Sequence, residues 1–398
     1  MAQDRTKNLV CIQRVDSYNV GLLKSAIEEI LSHFGGPSAV ASGKRVLVKP
    51  NVLRAARPEE AVTTHPAVLQ AVCEIFLEAG FDVAIGDGPG GAPAPAQPAF
   101  RQSGTARVAE RLGVPLLNFQ ETGSLSIELP FGPVRKVNVA KPVLEADTII
   151  NVPKFKTHGL TGITCALKNP YGYIPGFLKG KLHAVAPKPR DFSEILCALW
   201  KAIPPRFSLV DAVLGMEGQG PSAGRPRQVG LVFGGTDPVA VDSVAATIMG
   251  LDPESVVLIQ AARSVGLGTS EPFEIAGPPL RELVIPDFQP PFISPAARLI
   301  PGWLVDMFSP LAQRITWVRP EVIAERCQRC GRCAASCPTG AMQGEPGELP
   351  QLASPRECIS CLCCQEICPA KAIRLKRSLA LRPFLKVQDR SQETPRRA

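Results

Sequence analysis

Short runs of β-branched and large apolar residues alternate, over the first 285 residues, with longer stretches whose apolar positions recur every three or four places. The runs Leu9 to Gln13, Arg45 to Val48, Phe81 to Ile85, Val114 to Phe119, Thr148 to Val152, Phe207 to Val210 and Val229 to Phe233 predict strands. The stretches Asn19 to His33, Pro66 to Ala79, Phe192 to Ala202 and Pro238 to Met249 predict helices. Asp237 before Pro238 reads as a helix cap followed by proline at the first helical position. Parallel neighbours need a crossover, which a helix supplies, so this alternation implies an α/β domain with a mostly parallel sheet and flanking helices.

In such sheets ligands bind beyond the carboxyl ends of the strands. The residues after each predicted strand are polar. Lys49-Pro50-Asn51 follows the second run, Gly86-Asp87-Gly88-Pro89-Gly90-Gly91 the third, and Pro153-Lys154-Phe155-Lys156-Thr157-His158 the run ending at Val152. Lys168-Asn169 comes shortly after, and Asp211 and then Met216 to Pro221 follow Phe207 to Val210. The expectation is a rim site for a small anion, with Lys49, Asn51, Lys154, Lys156, Lys168 and Asn169 as binding groups, because an ammonium holds phosphate or carboxylate as a point charge. His158 is the expected proton donor, with Asp87 and Glu217 as alternatives.

Each signal has a plainer alternative. Asp87 and Asp211 would also serve as caps for turn amides, the lysines as solvated surface charges, and Thr63-Thr64-His65-Pro66 as a helix start. His33 and His183 stand without a partner motif and read as structural. Gly86 to Gly91 has the G-x-G-x-x-G spacing but runs into Ala92-Pro93-Ala94-Pro95 instead of opening a helix, so a dinucleotide-binding reading fails.

The chain has 13 cysteines. Cys327, Cys330, Cys333 and Cys337 precede Pro338, and Cys358, Cys361, Cys364 and Cys368 precede Pro369, each in the spacing C-x2-C-x2-C-x3-C-P. In this two-cluster run the fourth cysteine of each motif ligates the other cluster. One 4Fe-4S cluster is therefore expected on Cys327, Cys330, Cys333 and Cys368, and a second on Cys358, Cys361, Cys364 and Cys337, in a small α+β ferredoxin-like module. Zinc needs four ligands and leaves no use for the third cysteine and the Cys-Pro in both halves. Cys363, like Cys11, Cys73, Cys165 and Cys197, reads as a small buried hydrophobe.

Charge changes the picture only at one end. Of the net +8, a surplus of +7 lies in residues 371–398, where nine lysines and arginines face Asp389 and Glu393. No basic face interleaved with aromatics appears elsewhere, so nucleic acid is not an expected partner. The basic stretch reads as a solvated tail, or as a contact for an acidic partner or an anionic membrane surface. Met1 to Val10 lacks the pattern of a signal peptide, and no apolar run reaches the roughly 20 residues of a membrane span, so the expected location is cytoplasmic. Proline-rich stretches divide the chain into an α/β ligand-binding domain (1–285), a linker with an amphipathic helix around Trp303, Phe308 and Trp317 (286–325), the two-cluster module (326–376) and the basic tail (377–398).

Taken together, Lys49-Pro50-Asn51, Thr64-His65-Pro66, Gly86-Asp87-Gly88-Pro89, Asn151 to His158, Lys168-Asn169, Met216 to Pro221 and Asp237 to Asp242 resemble the family called domain of unknown function 362. Its members often carry a C-terminal two-cluster module. The resemblance implies an iron-sulfur protein of oxidoreductase type but supplies no substrate. The resulting expectation is a reductase whose clusters deliver electrons to a small anionic substrate or cofactor at the strand ends, with an unknown low-potential electron donor or acceptor as partner. The alternative is a non-enzymatic electron-transfer, redox-sensing or binding protein.

Overall fold

The computed structural model describes residues 8–90, 96–268, 273–290 and 317–378. Its centre is a ten-stranded sheet. The main path runs β12 (Glu274–Ala276), β1 (Leu9–Arg14), β11 (Arg225–Gly235), β10 (Phe207–Glu217), β7 (Thr148–Val152), β2 (Arg45–Pro50), β3 (Asp82–Asp87) and β4 (Leu116–Asn118), with β8 (Lys154–His158) and β9 (Gly162–Thr164) branching from β10 and β5 (Ser124–Glu128) and β6 (Lys136–Ala140) forming a separate antiparallel pair. Pairings from β10 through β7, β2 and β3 to β4 are parallel, whereas β11 runs antiparallel to both β1 and β10. The mostly parallel α/β sheet expected from the alternation is thus present.

Helices cover both faces. α1 (Val20–Ser32) and α2 (Pro66–Glu78) bury Leu23, Ile27, Ile30, Val68, Val72 and Phe76 on one side. Later helices, notably α4 (Pro189–Ala202), α5 (Pro238–Ile248) and α6 (Val257–Ser264), bury Phe192, Ile195, Leu199, Val241, Val244 and Leu258 on the other. Each such side chain contributes roughly 1.5–3 kcal/mol on burial, which fixes the sheet as a rigid platform. The start signals act as read: Asn19 caps α1 at Leu22 N, His65 caps α2 at Ala67 N, and Asp237 caps α5 at Val239 N and Ala240 N.

Two segments expected to be loops after strands are strands themselves. Lys154 to His158 forms β8, fully buried, parallel to β10 and antiparallel to β9. Met216 and Glu217 are the end of β10, which extends well past Val210. Pro153 has no N–H for a ladder, and the chain leaves β7 there and re-pairs one step further out on β10.

The cysteine-rich module follows, with β13 (Val318–Val322) antiparallel to β16 (Ile373–Arg377) and the small pair β14 (Met342–Gln343) and β15 (Gln351–Leu352) between them. Two short helices, α7 (Arg332–Ala335) and α8 (Cys363–Ile367), carry the middle cysteines. The module rests on the carboxyl rim of the sheet. Ser222 Oγ meets Gln365 O at 3.5 Å, Lys371 Nζ lies 3.7 Å from Glu60 Oε2, and Leu362 packs so closely on Gly159 that an added Cβ would sit 2.8 Å from Leu362 Cδ1. The expected linker helix and most of the basic tail fall outside the described residues. Among the described residues no helix is long and apolar enough to cross a membrane.

Candidate functional site

β2 and β3 lie side by side in parallel and end in Lys49-Pro50 and Asp87. Lys49 Nζ lies 2.8 Å from Asp87 Oδ1, with both side chains at most 2% exposed. An isolated charge so deep would cost several kcal/mol, and every polar atom of this pair is engaged. Lys49 Nζ also donates to Pro50 O at 2.8 Å and to Asn169 Oδ1 at 3.3 Å; Asp87 accepts from Val52 N and Gly88 N at 2.6 and 2.7 Å. Gly172 is required here, because a Cβ would lie 2.3 Å from Asp87 Oδ1 and 2.4 Å from Lys49 Nζ. Amides extend the network: Asn169 Nδ2 donates to Asn151 Oδ1 and Asn51 Nδ2 to Asn169 Oδ1.

Above this pair opens a cavity of about 190 Å³ between the rim and the module. The expected residues Lys49, Asn51, Asp87, Lys168 and Asn169 line it. So do Lys179, Lys181 and His183 of α3 (Gly176–Val185), and Cys337, Cys363 and Glu366 of the module. Lys168 and Lys179 both stand over the Tyr171 ring, at 5.7 and 5.6 Å from its centroid. Burial lowers both lysine pKa values, that of Lys179 to about 7. Lys179 Nζ donates to Gly88 O, and among the described residues Lys168 Nζ has no hydrogen-bond partner. His183, one helical turn beyond Lys179, stacks on Phe192 at 4.4 Å, and burial pushes its pKa down to about 3, so the ring is neutral.

Lys154, Lys156, His158 and Glu217 do not line this cavity. Lys154 Nζ is 2.7 Å from Asp211 Oδ2 and 2.9 Å from the Tyr18 hydroxyl, which donates to Asp211 Oδ1 while its ring stacks on His65 at 3.4 Å. Lys156 Nζ donates to Val62 O at 2.6 Å, and burial, with Lys168 adding repulsion, drives its pKa well below the ordinary lysine value. Glu217 accepts from Gln289 N at 3.1 Å. His158 Nδ1 accepts from Leu160 N and Thr161 N, which places the ring proton on Nε2, 3.4 Å from Glu366 Oε1. Lys154, Lys156 and His158 share one face of β8, which turns them toward Asp211, Val62 O and Glu366, and Glu217 ends β10.

The cysteines surround two hollows. One is lined by Cys327, Cys330, Cys333 and Cys368, the other by Cys337, Cys358, Cys361 and Cys364, so each motif lends its fourth cysteine to the other half. The halves repeat in backbone detail. Arg329 and Ser360, Gly331 and Leu362, and Gly340 and Lys371 occupy matching places and all have positive φ. Amides turn toward sulfur as a thiolate needs: Arg329 N to Cys327 Sγ at 3.4 Å, Met342 N to Cys337 Sγ at 3.4 Å and Ala372 N to Cys368 Sγ at 3.2 Å. These donor sets fit 4Fe-4S clusters.

The sequence reading missed Lys179, Lys181, His183, Cys363 and Glu366. A signal existed for two of them, since Lys179 and His183 are four apart and share a helical face. Glu366 and Cys363 gave no such signal, because only the docking of the module brings them to the rim.

Comparison with known proteins gives two family matches. The family described as "Domain of unknown function (DUF362)" matches residues 46–247, and that described as "4Fe-4S dicluster domain" matches residues 319–369. Thylakoid-associated protein sll1697 of Synechocystis sp. is 33% identical over 287 residues, 71% of this chain and 87% of that protein. The lactate racemase apoprotein from Thermoanaerobacterium thermosaccharolyticum aligns with a TM-score of 0.39 and 14% identity, over 62% of this chain and 58% of that one.

Proposed function

The chain belongs to the DUF362 family and carries a 4Fe-4S dicluster domain, and from that premise we propose that it is an iron-sulfur reductase whose two clusters feed electrons to a small anionic substrate held in the cavity between sheet rim and module. The observation that carries the reading is shared lining: Cys337, a ligand of the second hollow, borders the same cavity as Lys168 and Lys179.

When bound, 4Fe-4S clusters supply electrons one at a time. The chain's own residues do the rest. Lys168 and Lys179 bind the anion as point charges, and the Lys49–Asp87 pair with Asn169 holds the strand ends so that Asn51 presents its Oδ1. His158 would act through Glu366 at the cavity wall, whose Oε1 lies 3.4 Å from its Nε2. The module covers part of the site with Cys337, Cys363 and Glu366, and charge interactions strengthen where it displaces water.

A low-potential donor protein is the proposed partner, and the cytoplasm the proposed location. The name of the Synechocystis relative associates that protein with thylakoids, which favours, as a second reading, an electron relay working at a membrane surface. Anaerobic reoxidation separates the two. Dithionite-reduced protein mixed with a panel of small organic and inorganic anions should reoxidise with at least one of them, and at least tenfold more slowly in Lys168→Met protein of equal iron content. A relay would ignore every small anion and reduce acceptor proteins equally well in both forms.

A further inference from the structure

The two halves of the module repeat in sequence and in backbone but not in exposure. Cys330 and Cys361 hold the same place in their motifs, and Cys330 is exposed where Cys361 is buried. Their neighbours differ in the same sense. Gln328 and Arg329 stand in solvent, whereas their counterparts Ile359 and Ser360 are half-buried, and Ser360 Oγ donates to Val318 O at 2.7 Å. Gly331 is matched by Leu362, whose side chain packs on Gly159 of the α/β domain.

Docking accounts for the difference. The module meets the rim through Ser336, Pro338, Leu362, Gln365, Glu366 and Lys371, none of them on the loop around Cys330. Of the eight cysteines of the two hollows, Cys337 borders the cavity, and it belongs to the second hollow. No described residue of the first hollow lines the cavity.

The exposed loop is held in shape. Gly347 N donates to Arg329 O at 2.8 Å, and a Cβ on Gly331 would lie 3.2 Å from Pro346 Cγ. A surface already ordered before contact loses little conformational freedom in an encounter. Its exposed side chains, among them Gln328, Arg329, Glu345 and Glu348, are polar and of mixed sign. Such a face suits a small, short-lived interface of the kind electron carriers make.

We infer that a one-electron carrier protein docks on the face around Cys330 and exchanges electrons at the first-motif site, while the second-motif site, walled by Cys337, serves the cavity. The second half of this statement rests on the cavity being the ligand site; the first does not. Electron transfer weakens steeply with distance, so a carrier on the exposed loop meets the first hollow before the second. In each encounter the carrier loses one electron and one oxidised cluster gains it, with no bond made or broken.

The test is stopped-flow reduction of oxidised, full-length, cluster-loaded protein by reduced flavodoxin, beside reduction by dithionite. Gln328→Trp adds bulk to the exposed loop, and Glu357→Trp adds the same bulk at the exposed approach to the second motif. At equal iron content, Gln328→Trp should lower the bimolecular rate with flavodoxin by about fivefold or more and leave the dithionite rate within about twofold, while Glu357→Trp changes neither by more than that. Flavodoxin rates that fall as much in Glu357→Trp, or in neither variant, overturn the proposal. A second readout needs no carrier and no change to the loop. Dysprosium-EDTA added to the reduced protein should speed the spin relaxation of the cluster signal that survives in Cys337→Ser protein more than that of the signal lost there, and the reverse order overturns the proposal. No small anion enters either measurement, so an anion panel without any reoxidation would remove the reductase and leave the docking face standing.

Discussion

His158 Nε2 of the α/β domain and Glu366 Oε1 of the cysteine-rich module lie 3.4 Å apart, both buried and neither with a hydrogen-bond partner among the described residues. Glu366 sits among Lys168, Lys156 and Lys179, and their positive charge opposes the rise that burial imposes on its pKa. Glu366→Gln should therefore act in two directions at once. Unfolding stability should fall by about 1–3 kcal/mol, as expected when buried cations lose a charged partner, while anion affinity rises several-fold because a competing carboxylate is gone. Chemical denaturation and sulfate titration of the same preparation check both.

The Lys49–Asp87 pair is a support and not a free anion receptor. Asp87→Ala should cost about 3–5 kcal/mol, because it strands a buried ammonium. The double change Lys49→Met with Asp87→Leu should recover more than half of that loss. Urea unfolding of the three proteins measures it; equal loss in the single and double variants would show that the aspartate acts through its backbone bonds from Val52 and Gly88 alone.

Cys337 belongs by sequence to the first motif and by position to the second hollow. Anaerobically reconstituted parent protein should hold about eight iron and eight sulfide per chain, as two four-iron clusters require. Cys337→Ser should lose or convert the cluster of the second motif while Cys327, Cys330, Cys333 and Cys368 retain theirs, read as a change in one of two electron paramagnetic resonance signals. Loss confined to the first motif would reverse the crossed ligation.

Lys179 sets the pH dependence of anion binding. Burial is the main cause lowering its pKa to about 7; Asp87 and Glu366 raise it, and Lys49 and Lys168 lower it. Sulfate keeps its charge through this range, so its affinity should be high below pH 7 and fall as the pH rises through 7 and the ammonium is lost. The same shift bears on folding: between about 7 and 10.5 the unfolded chain holds the proton that the folded chain has released, so this group's contribution to stability rises with pH across that window. Lys179→Met should flatten both profiles near pH 7.

Much of this was legible in the chain. The alternation that predicts the sheet is strong because α1, α2 and α5 each have a cap and a continuous apolar face, and the cysteine spacing prescribes the two hollows directly. Lys49, Asn51, Asp87, Lys168 and Asn169 were found at the cavity because they follow strands or a tight turn at the carboxyl rim. Lys154, Lys156, His158 and Glu217 look like rim residues only as long as β8 and the far end of β10 look like loops. A run of Lys, Phe, Lys, Thr and His looks too polar for a buried strand until Asp211, Val62 O and Glu366 are there to receive it, and those partners are distant in sequence. His183 and Cys363 look structural in the chain for the same reason: one gains its meaning from Lys179 across a helical turn, the other from a docked module.

The most direct measurement is an anaerobic crystal structure of cluster-loaded protein soaked with tungstate, a dianion whose anomalous signal is separable from that of iron. The account predicts two iron peaks in the two cysteine hollows and a tungsten peak between Lys168 and Lys179, on the side of the cavity bordered by Cys337. Tungsten bound elsewhere on the protein, with that cavity empty and both iron sites filled, would contradict it.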